Sequence, residues 1–561
     1  MKMFLHRLMI MYVSHTLLSP VMTFGQTLQR GPQVMTFFSD ADDTEQPYGL
    51  YIPPNYDASK KYPLVMMLHG AGSNHRLALR RVFGKSNDEG ETDVEASRVF
   101  PKWEDVDFVV ASPYARGTAG YQGIPEKDVY DVLADVKRRL NIDENRIYLT
   151  GLSMGGGGAL WLGLTRPDIW AAIAPVCPAL PAGTGKLAAN ALNFPVHFFH
   201  GDADPVVPVD GTRKLVSDMQ NIGVEVSYKE FVDVKHDSWV SAYDAGFIFE
   251  WFKPIERVPF PNQVRFVSSM HKYNKAYWIE LDTFVNGELA EVNARFDKAN
   301  TISITTKNLP GLTLRLNGHP MFKAAEEVTL LIDKLRVSVR TTDEIHLIKT
   351  DVGWAEKMGA SEQVGLIKKG GAEGPLFDAF SERHIYVYGT RDNPDAAELK
   401  RRIDLATEAA NWSVYRGEFL GRMMFFPRVV SDKALRASDR AECNLILFGT
   451  RESNLVLAEN ANKLPVSLVK ENTGYGLFYI FPLGKRYVAV SSGLPWWKGL
   501  KEEGRPFVPL AFRKIPEFKD IVLFKDSVEN IIVNDYFSRE WKTTDGLKKK
   551  LMATGVITMQ E

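Results

Sequence analysis

The sequence predicts an α/β fold over its first half, then a β-rich segment, then a second α/β layer toward the C-terminus. Three observations carry this reading. Tyr62–Leu68 is a near-continuous apolar run, as in a parallel strand buried on both faces. Arg146–Thr150 is a second apolar strand, and through Gly151-Leu152-Ser153-Met154-Gly155 it hands over to a small-residue helix beginning Gly156-Gly157-Gly158-Ala159. After Pro254 the chain turns to β-branched alternation, and from Gly374 it changes again, to strands followed by helices.

A serine on a sharp strand-to-helix turn needs flanking glycines, because a Cβ there would meet the neighbouring strand and helix. The turn lifts the hydroxyl of Ser153 out of the sheet. Gly-x-Ser-x-Gly alone is a weak pattern, since glycine and serine are common in loops. Its weight comes from the further parts such a serine requires, in the order serine, acid, histidine.

Pro195–Phe199 is a short apolar strand that runs into His200-Gly201-Asp202-Ala203-Asp204-Pro205-Val206-Val207-Pro208. Asp204 is expected to be the acid, because it directly precedes the Pro-Val-Val-Pro turn that would hold it. Asp202 is the second candidate, and shaping the turn or capping a helix near Asp210 is the alternative for both. Val224–Val232 alternates as a final strand and leads to Val234-Lys235-His236-Asp237-Ser238-Trp239. His236 stands third in the required order and is the expected base; His69, His75 and His200 precede the acid. Trp239 is a candidate lining residue for the acyl or sugar pocket, with helix packing as the alternative.

Attack on an acyl carbon leaves charge on oxygen, and preorganised backbone N–H groups must meet it. One donor is expected at Met154, at a helix N-terminus. The other is expected at Ala71 or its neighbour Gly70, in His69-Gly70-Ala71-Gly72 after the first apolar strand.

With these pieces the chain resembles the α/β-hydrolase superfamily, in particular secreted esterases of the polyhydroxybutyrate-depolymerase, feruloyl-esterase and acetylxylan-esterase types. The resemblance rests on Leu68-His69-Gly70, Gly151 to Gly156, His200 to Pro208 and His236-Asp237-Ser238-Trp239, and spans residues 45–255. It implies Ser153 as nucleophile, Asp204 as acid and His236 as base. Gly117–Val129 also looks like the stretch before the nucleophile in prolyl-oligopeptidase-like and dienelactone-hydrolase-like relatives. Val129, Val132, Leu133, Val136 and Leu140 then recur at helical spacing, as in a covering helix. Asp128 reads as a cap or backbone ligand, while Arg116 and Tyr121 read as pocket-facing or surface residues.

At 561 residues the chain exceeds a single core. Its 68 basic and 69 acidic residues show no bias toward nucleic acid or an anionic membrane. Met1–Gly25 places Lys2 and Arg7 before an apolar stretch and reads as a signal peptide, so a secreted or periplasmic protein with no integral membrane segment is expected. The only cysteines, Cys177 and Cys443, exclude a disulfide framework, and Cys177 reads as a buried inert thiol.

Residues 262–350 carry short strands at Tyr277–Leu281, Thr301–Thr306, Leu312–Leu316 and Leu335–Arg340, a sandwich-like pattern. In residues 374–545 the strands His384–Tyr388 and Asn444–Phe448 each end in Gly-Thr-Arg, with a helix between them at Ala396–Ala410. Arg391 and Arg451 are candidates for anion or sugar contacts, or solvated turn residues. This half resembles C-terminal regions of secreted bacterial proteins of prolyl-oligopeptidase type, a likeness that implies no activity.

The expected function is a secreted serine esterase acting on acetyl or feruloyl esters of plant or algal polysaccharide, without metal or cofactor. The alternatives are a prolyl-oligopeptidase-like peptidase, whose usual preceding propeller has no room here, and a non-catalytic glycan-binding protein. The sequence sets no oligomeric state.

Overall fold

The computed structural model describes residues 28–324, 326–339, 342–357, 365–412, 424–471, 473–501 and 509–560. The expected signal peptide lies outside the described residues. No described helix is long and apolar enough to cross a membrane.

The first region is built on one eight-stranded sheet. Its strands are β1 (Gly31–Ser39), β2 (Thr44–Ile52), β3 (Tyr62–Leu68), β4 (Val109–Pro113), β5 (Ile142–Leu152), β6 (Ala172–Val176), β7 (Val196–Gly201) and β8 (Val226–Phe231), in the spatial order β1-β2-β4-β3-β5-β6-β7-β8. β1, β2 and β4 pair antiparallel, and β4, β3, β5, β6, β7 and β8 run parallel. The apolar run of β3 follows from this central place. Leu64, Met66 and Leu68 enter one core cluster, while Val65 and Met67 enter another across the sheet.

The first helices are α1 (His75–Val82), α2 (Asp93–Ala96), α3 (Ile124–Arg139), α4 (Met154–Thr165) and α5 (Asp210–Asn221). The side chain of Asn74 caps α1 by accepting the Arg76 and Leu77 amides. α3 buries Val129, Val132 and Val136 along one stripe, as their spacing predicts. α4 is buried on nearly every side, and its run of small residues permits that. It begins at Met154, two residues before the sequence-based expectation.

Two five-stranded sheets follow. In spatial order one holds Lys275–Ala276, Ile279–Thr283, Gly311–Arg315, Glu344–Thr350 and Gly353–Glu356, and the other Leu335–Val339, Val328–Ile332, Thr301–Lys307, Ala290–Lys298 and Gln263–Ser268. Their inward residues, among them Phe266, Val292, Leu281 and Leu312, form one apolar cluster. Gln263–Ser268 is an edge strand, and Asn190 of the first region meets it. The Asn190 Nδ2 donates to Val267 O at 2.9 Å, and the Val267 amide donates to Asn190 Oδ1 at 2.7 Å.

A seven-stranded sheet comes next, and a two-stranded one pairs Val466–Leu468 with Ile557–Met559. Val429–Ser431, His384–Tyr388, Asn444–Phe448 and Arg486–Gly493 are parallel, and Tyr475–Leu483, Ile521–Lys525 and Ser527–Asp535 continue antiparallel. The helix Ala396–Ala409 packs beside it. The regions contact one another directly: Tyr273 donates to Glu126 at 2.6 Å, and Asn286 Nδ2 donates to Phe537 O at 2.8 Å.

Candidate active site

Ser153 stands between the end of β5 and the first turn of α4, with φ 55° and ψ −116°. A side chain rarely adopts this backbone, and the surroundings fix it. The Ser153 amide donates to Val176 O at 2.9 Å, and Ser153 O accepts from the Gly157 and Ala179 amides at 3.0 Å. Gly151 and Gly155 are needed because the elements touch: a Cβ on Gly151 would collide with Gly155 O, and one on Gly155 with Leu68 O.

His236 lies on the loop after β8, with its Nε2 3.0 Å from Ser153 Oγ and its Nδ1 2.7 Å from Asp204 Oδ2. The Asp204 Oδ1 accepts the Val206 and Val207 amides at 2.8 and 2.9 Å, so the turn after the acid grips it from behind. Burial pushes the Asp204 carboxyl up, but the hydrogen bonds from His236, Val207 and Val206 outweigh it and hold the pKa below the usual carboxylate value. The serine, histidine and carboxylate therefore form a continuous chain, with the carboxylate ionised.

Gly70 backs onto the serine: a Cβ there would lie 2.7 Å from Leu152 Cδ1 and 3.5 Å from Ser153 Cβ. Ala71 is exposed beside it, and Met154 is half-buried at the start of α4. Trp239 stands edge-on to the His236 ring, with centroids 5.5 Å apart, and also packs on the core. Asp202 accepts the Asp233 amide at 2.8 Å and shapes the loop between β8 and His236. His69 is buried, with Nδ1 and Nε2 each 2.8 Å from a carbonyl, those of Gly70 and Tyr114. Burial lowers its pKa and the two carbonyls oppose that. His75 begins α1, and burial takes its pKa down to about 3.

Three expectations need correction. Arg116 is buried rather than at the surface or in a pocket, and its guanidinium meets Asp128 at 2.7 Å and Asp42 at 2.6 Å. Asp128 is accordingly the partner of a buried cation, not a cap. Tyr121 is also buried and donates to His69 O at 3.0 Å. In the C-terminal region Arg391 and Arg451 are turn residues: Arg391 Nη1 donates to Glu452 O at 3.2 Å, and Arg451 pairs with Glu452 at 3.0 Å.

Among the described residues, Cys177, Asp204 and His236 have potential metal-ligand atoms within 4.8 Å of one another. The set suits a metal poorly. Asp204 is committed to His236 and two amides, and burial pushes the Cys177 thiol up to about 12, so it stays protonated at neutral pH. Sequence reasoning missed His200 as a neighbour of the acid; its Nε2 lies 3.3 Å from Asp204 Oδ2.

Residues 39–198 match a family model described as "Putative esterase". This part of the chain is similar to esterases of the α/β-hydrolase type. The matched region is 28% identical over 184 residues to the "Probable feruloyl esterase C" of Aspergillus terreus, a match covering 32% of this chain and 62% of the relative. It is 32% identical over 195 residues to the "Putative esterase NocK" of Nocardia uniformis, covering 32% of this chain and 51% of that protein. The chain thus spans between about half and two thirds of the length of the curated relatives it matches. A solved thermostable esterase is 27% identical, with 40% of this chain and 63% of that chain covered and a TM-score of 0.33.

Proposed function

We propose that the chain is a serine carboxylic-ester hydrolase, exported by its N-terminal segment, that cleaves feruloyl or acetyl groups from polysaccharide. The observation that carries this reading is the unbroken relay from Ser153 Oγ through His236 to Asp204, at 3.0 and 2.7 Å. His236 takes the serine proton as Ser153 Oγ attacks the ester carbonyl, and Asp204 holds the ring and stabilises the imidazolium. The Met154 amide, together with Ala71 or Gly70, receives the developing oxyanion. His236 then returns the proton to the leaving alcohol, and a water activated by the same histidine releases the acid from the acyl-enzyme. A feruloyl ester is favoured by the feruloyl esterases among the relatives, and Trp239 beside the base offers a face for such an aromatic group.

Full-length protein and Ser153→Ala are to be compared on methyl ferulate, a chromogenic acetate and a prolyl peptide. The expected result is ester turnover that falls about 10⁶-fold in kcat in the variant. Turnover of the peptide in preference to both esters would replace this reading by a peptidase.

A further inference from the structure

We propose that the C-terminal region, acting through the loop Tyr114–Gly123, holds the segment that receives the oxyanion, and that Thr118 and Tyr121 are positioning residues for it. The inference rests on reading Ser153 as the nucleophile and Gly70 or Ala71 as an oxyanion donor.

The loop follows β4 and ties the oxyanion segment at three points. The Gly72 amide donates to Thr118 Oγ1 at 3.0 Å, Tyr121 OH donates to His69 O at 3.0 Å, and His69 Nε2 lies 2.8 Å from Tyr114 O. The Ser73 amide donates to Gly70 O at 3.2 Å, and Gly72 has φ +73°, so Gly70–Ser73 is a tight turn with glycine where positive φ is required. Thr118 commits the Gly72 amide and so fixes the plane of the turn that carries Ala71. The Tyr121 ring also packs on α4, where a Cβ on Gly158 would lie 2.5 Å from Tyr121 Cδ2. One loop therefore orients both the turn and the helix that bracket the serine.

The loop does not support itself. Ala115 and Arg116 have φ 45° and 62°, a left-handed backbone that side-chain-bearing residues retain only where the surroundings enforce it. On one side the enforcement is the buried Arg116 with Asp128 and Asp42. On the other it is the C-terminal region. The Met424 amide donates to Arg116 O at 3.1 Å, and the Phe425 ring lies 5.6 Å from the Arg116 guanidinium carbon. Phe377 closes on the far end of the loop, where a Cβ on Gly123 would stand 3.0 Å from Phe377 Cζ. Arg383 forks onto Asp43 at the neighbouring hairpin. Ala41 and Ile124 share one apolar cluster with Ile385 and Leu445 of the C-terminal sheet. A detachable targeting module would hang on a linker, whereas this region is packed into the backbone that shapes the site.

The test uses full-length protein carrying Thr118→Val, Thr118→Ser, Tyr121→Phe or the pair Phe377→Ala/Arg383→Ala, with melting temperature and steady-state kinetics on a small chromogenic acetate and on feruloylated polysaccharide. Thr118→Val should lower kcat roughly tenfold or more with KM within about twofold, because a misplacement of ~1 Å costs up to about 100-fold. Thr118→Ser should restore the rate, and Tyr121→Phe should follow Thr118→Val in direction. The interface pair should lower kcat on the small ester as well as on the polymer. Unchanged kcat in Thr118→Val, or an interface pair impaired on the polymer alone, would overturn the inference. Ser153→Ala is run in parallel: residual turnover there would sink the nucleophile assignment instead.

Discussion

His200 Nε2 lies 3.3 Å from Asp204 Oδ2, the same oxygen that stands 2.7 Å from His236 Nδ1. Burial lowers the His200 pKa, and the Val207 carbonyl and Asp204 only oppose that, so the ring is neutral. Val207 O, 3.0 Å from Nε2, needs a donor, which puts the proton on Nε2 and leaves Nδ1 to accept from Thr212 Oγ1 at 2.9 Å. His200 therefore steadies the Asp204 carboxylate at the oxygen that His236 also meets.

His200→Leu should accordingly weaken the protein and slow it modestly. Loss of the ring removes the partner of the buried Thr212 hydroxyl and of the half-buried Val207 carbonyl, at a cost of about 1–3 kcal/mol. Denaturant unfolding should register that loss, and kcat on a small ester should fall far less than for a change at Asp204.

Asp204→Asn should preserve the fold and nearly abolish turnover. The amide cannot stabilise the imidazolium and favours the wrong tautomer of His236, an effect of about 10⁴-fold in kcat. Matching circular dichroism with kcat within tenfold of the unmodified protein would remove Asp204 from its proposed role.

Gly157→Ala and Gly546→Ala should have opposite signs. A Cβ on Gly157 would run into Ala179 O, a backbone atom that cannot swing aside, and overpacking of this kind costs about 1–3 kcal/mol or more. At Gly546, in the helix Asp545–Met552, a Cβ meets open space, so alanine should gain about 0.5–1 kcal/mol. Paired melting curves check both.

Glu373 supplies a pH prediction. Burial, and after it the nearby Asp378, push its carboxyl up to about 8, against the pull of the His271 and Lys272 amides and of Lys368. A carboxyl whose folded pKa is raised keeps a proton that the unfolded chain releases, so stability falls as pH rises from the ordinary carboxylate range toward 8. Glu373→Gln should flatten the decline in melting temperature between pH 5 and 8. An equal slope in both proteins would assign the dependence to other groups.

Where one period and one environment act together, the sequence was readable. Tyr62–Leu68, His384–Tyr388 and Asn444–Phe448 are strands over the expected residues. β1 and β2 gave no such signal, because they pair at the edge of the sheet and Gly31–Ser39 is only partly buried. The order of serine, aspartate and histidine pointed to three side chains that stand within hydrogen-bonding distance, since each occupies the loop after a recognisable strand. His200, Thr118 and Arg116 could not be read in the same way. Their partners are set by which loops meet in space, and a buried Arg116–Asp128 pair has the same spelling as a solvated one.

The Asn190 side chain, which bonds both polar backbone groups of Val267, does for Gln263–Ser268 what a neighbouring strand would do. An uncovered border of that sheet would be a template for other chains to add onto. Production of the middle and C-terminal regions without the first region would bare this border, so self-association through it is the failure to expect from such a fragment.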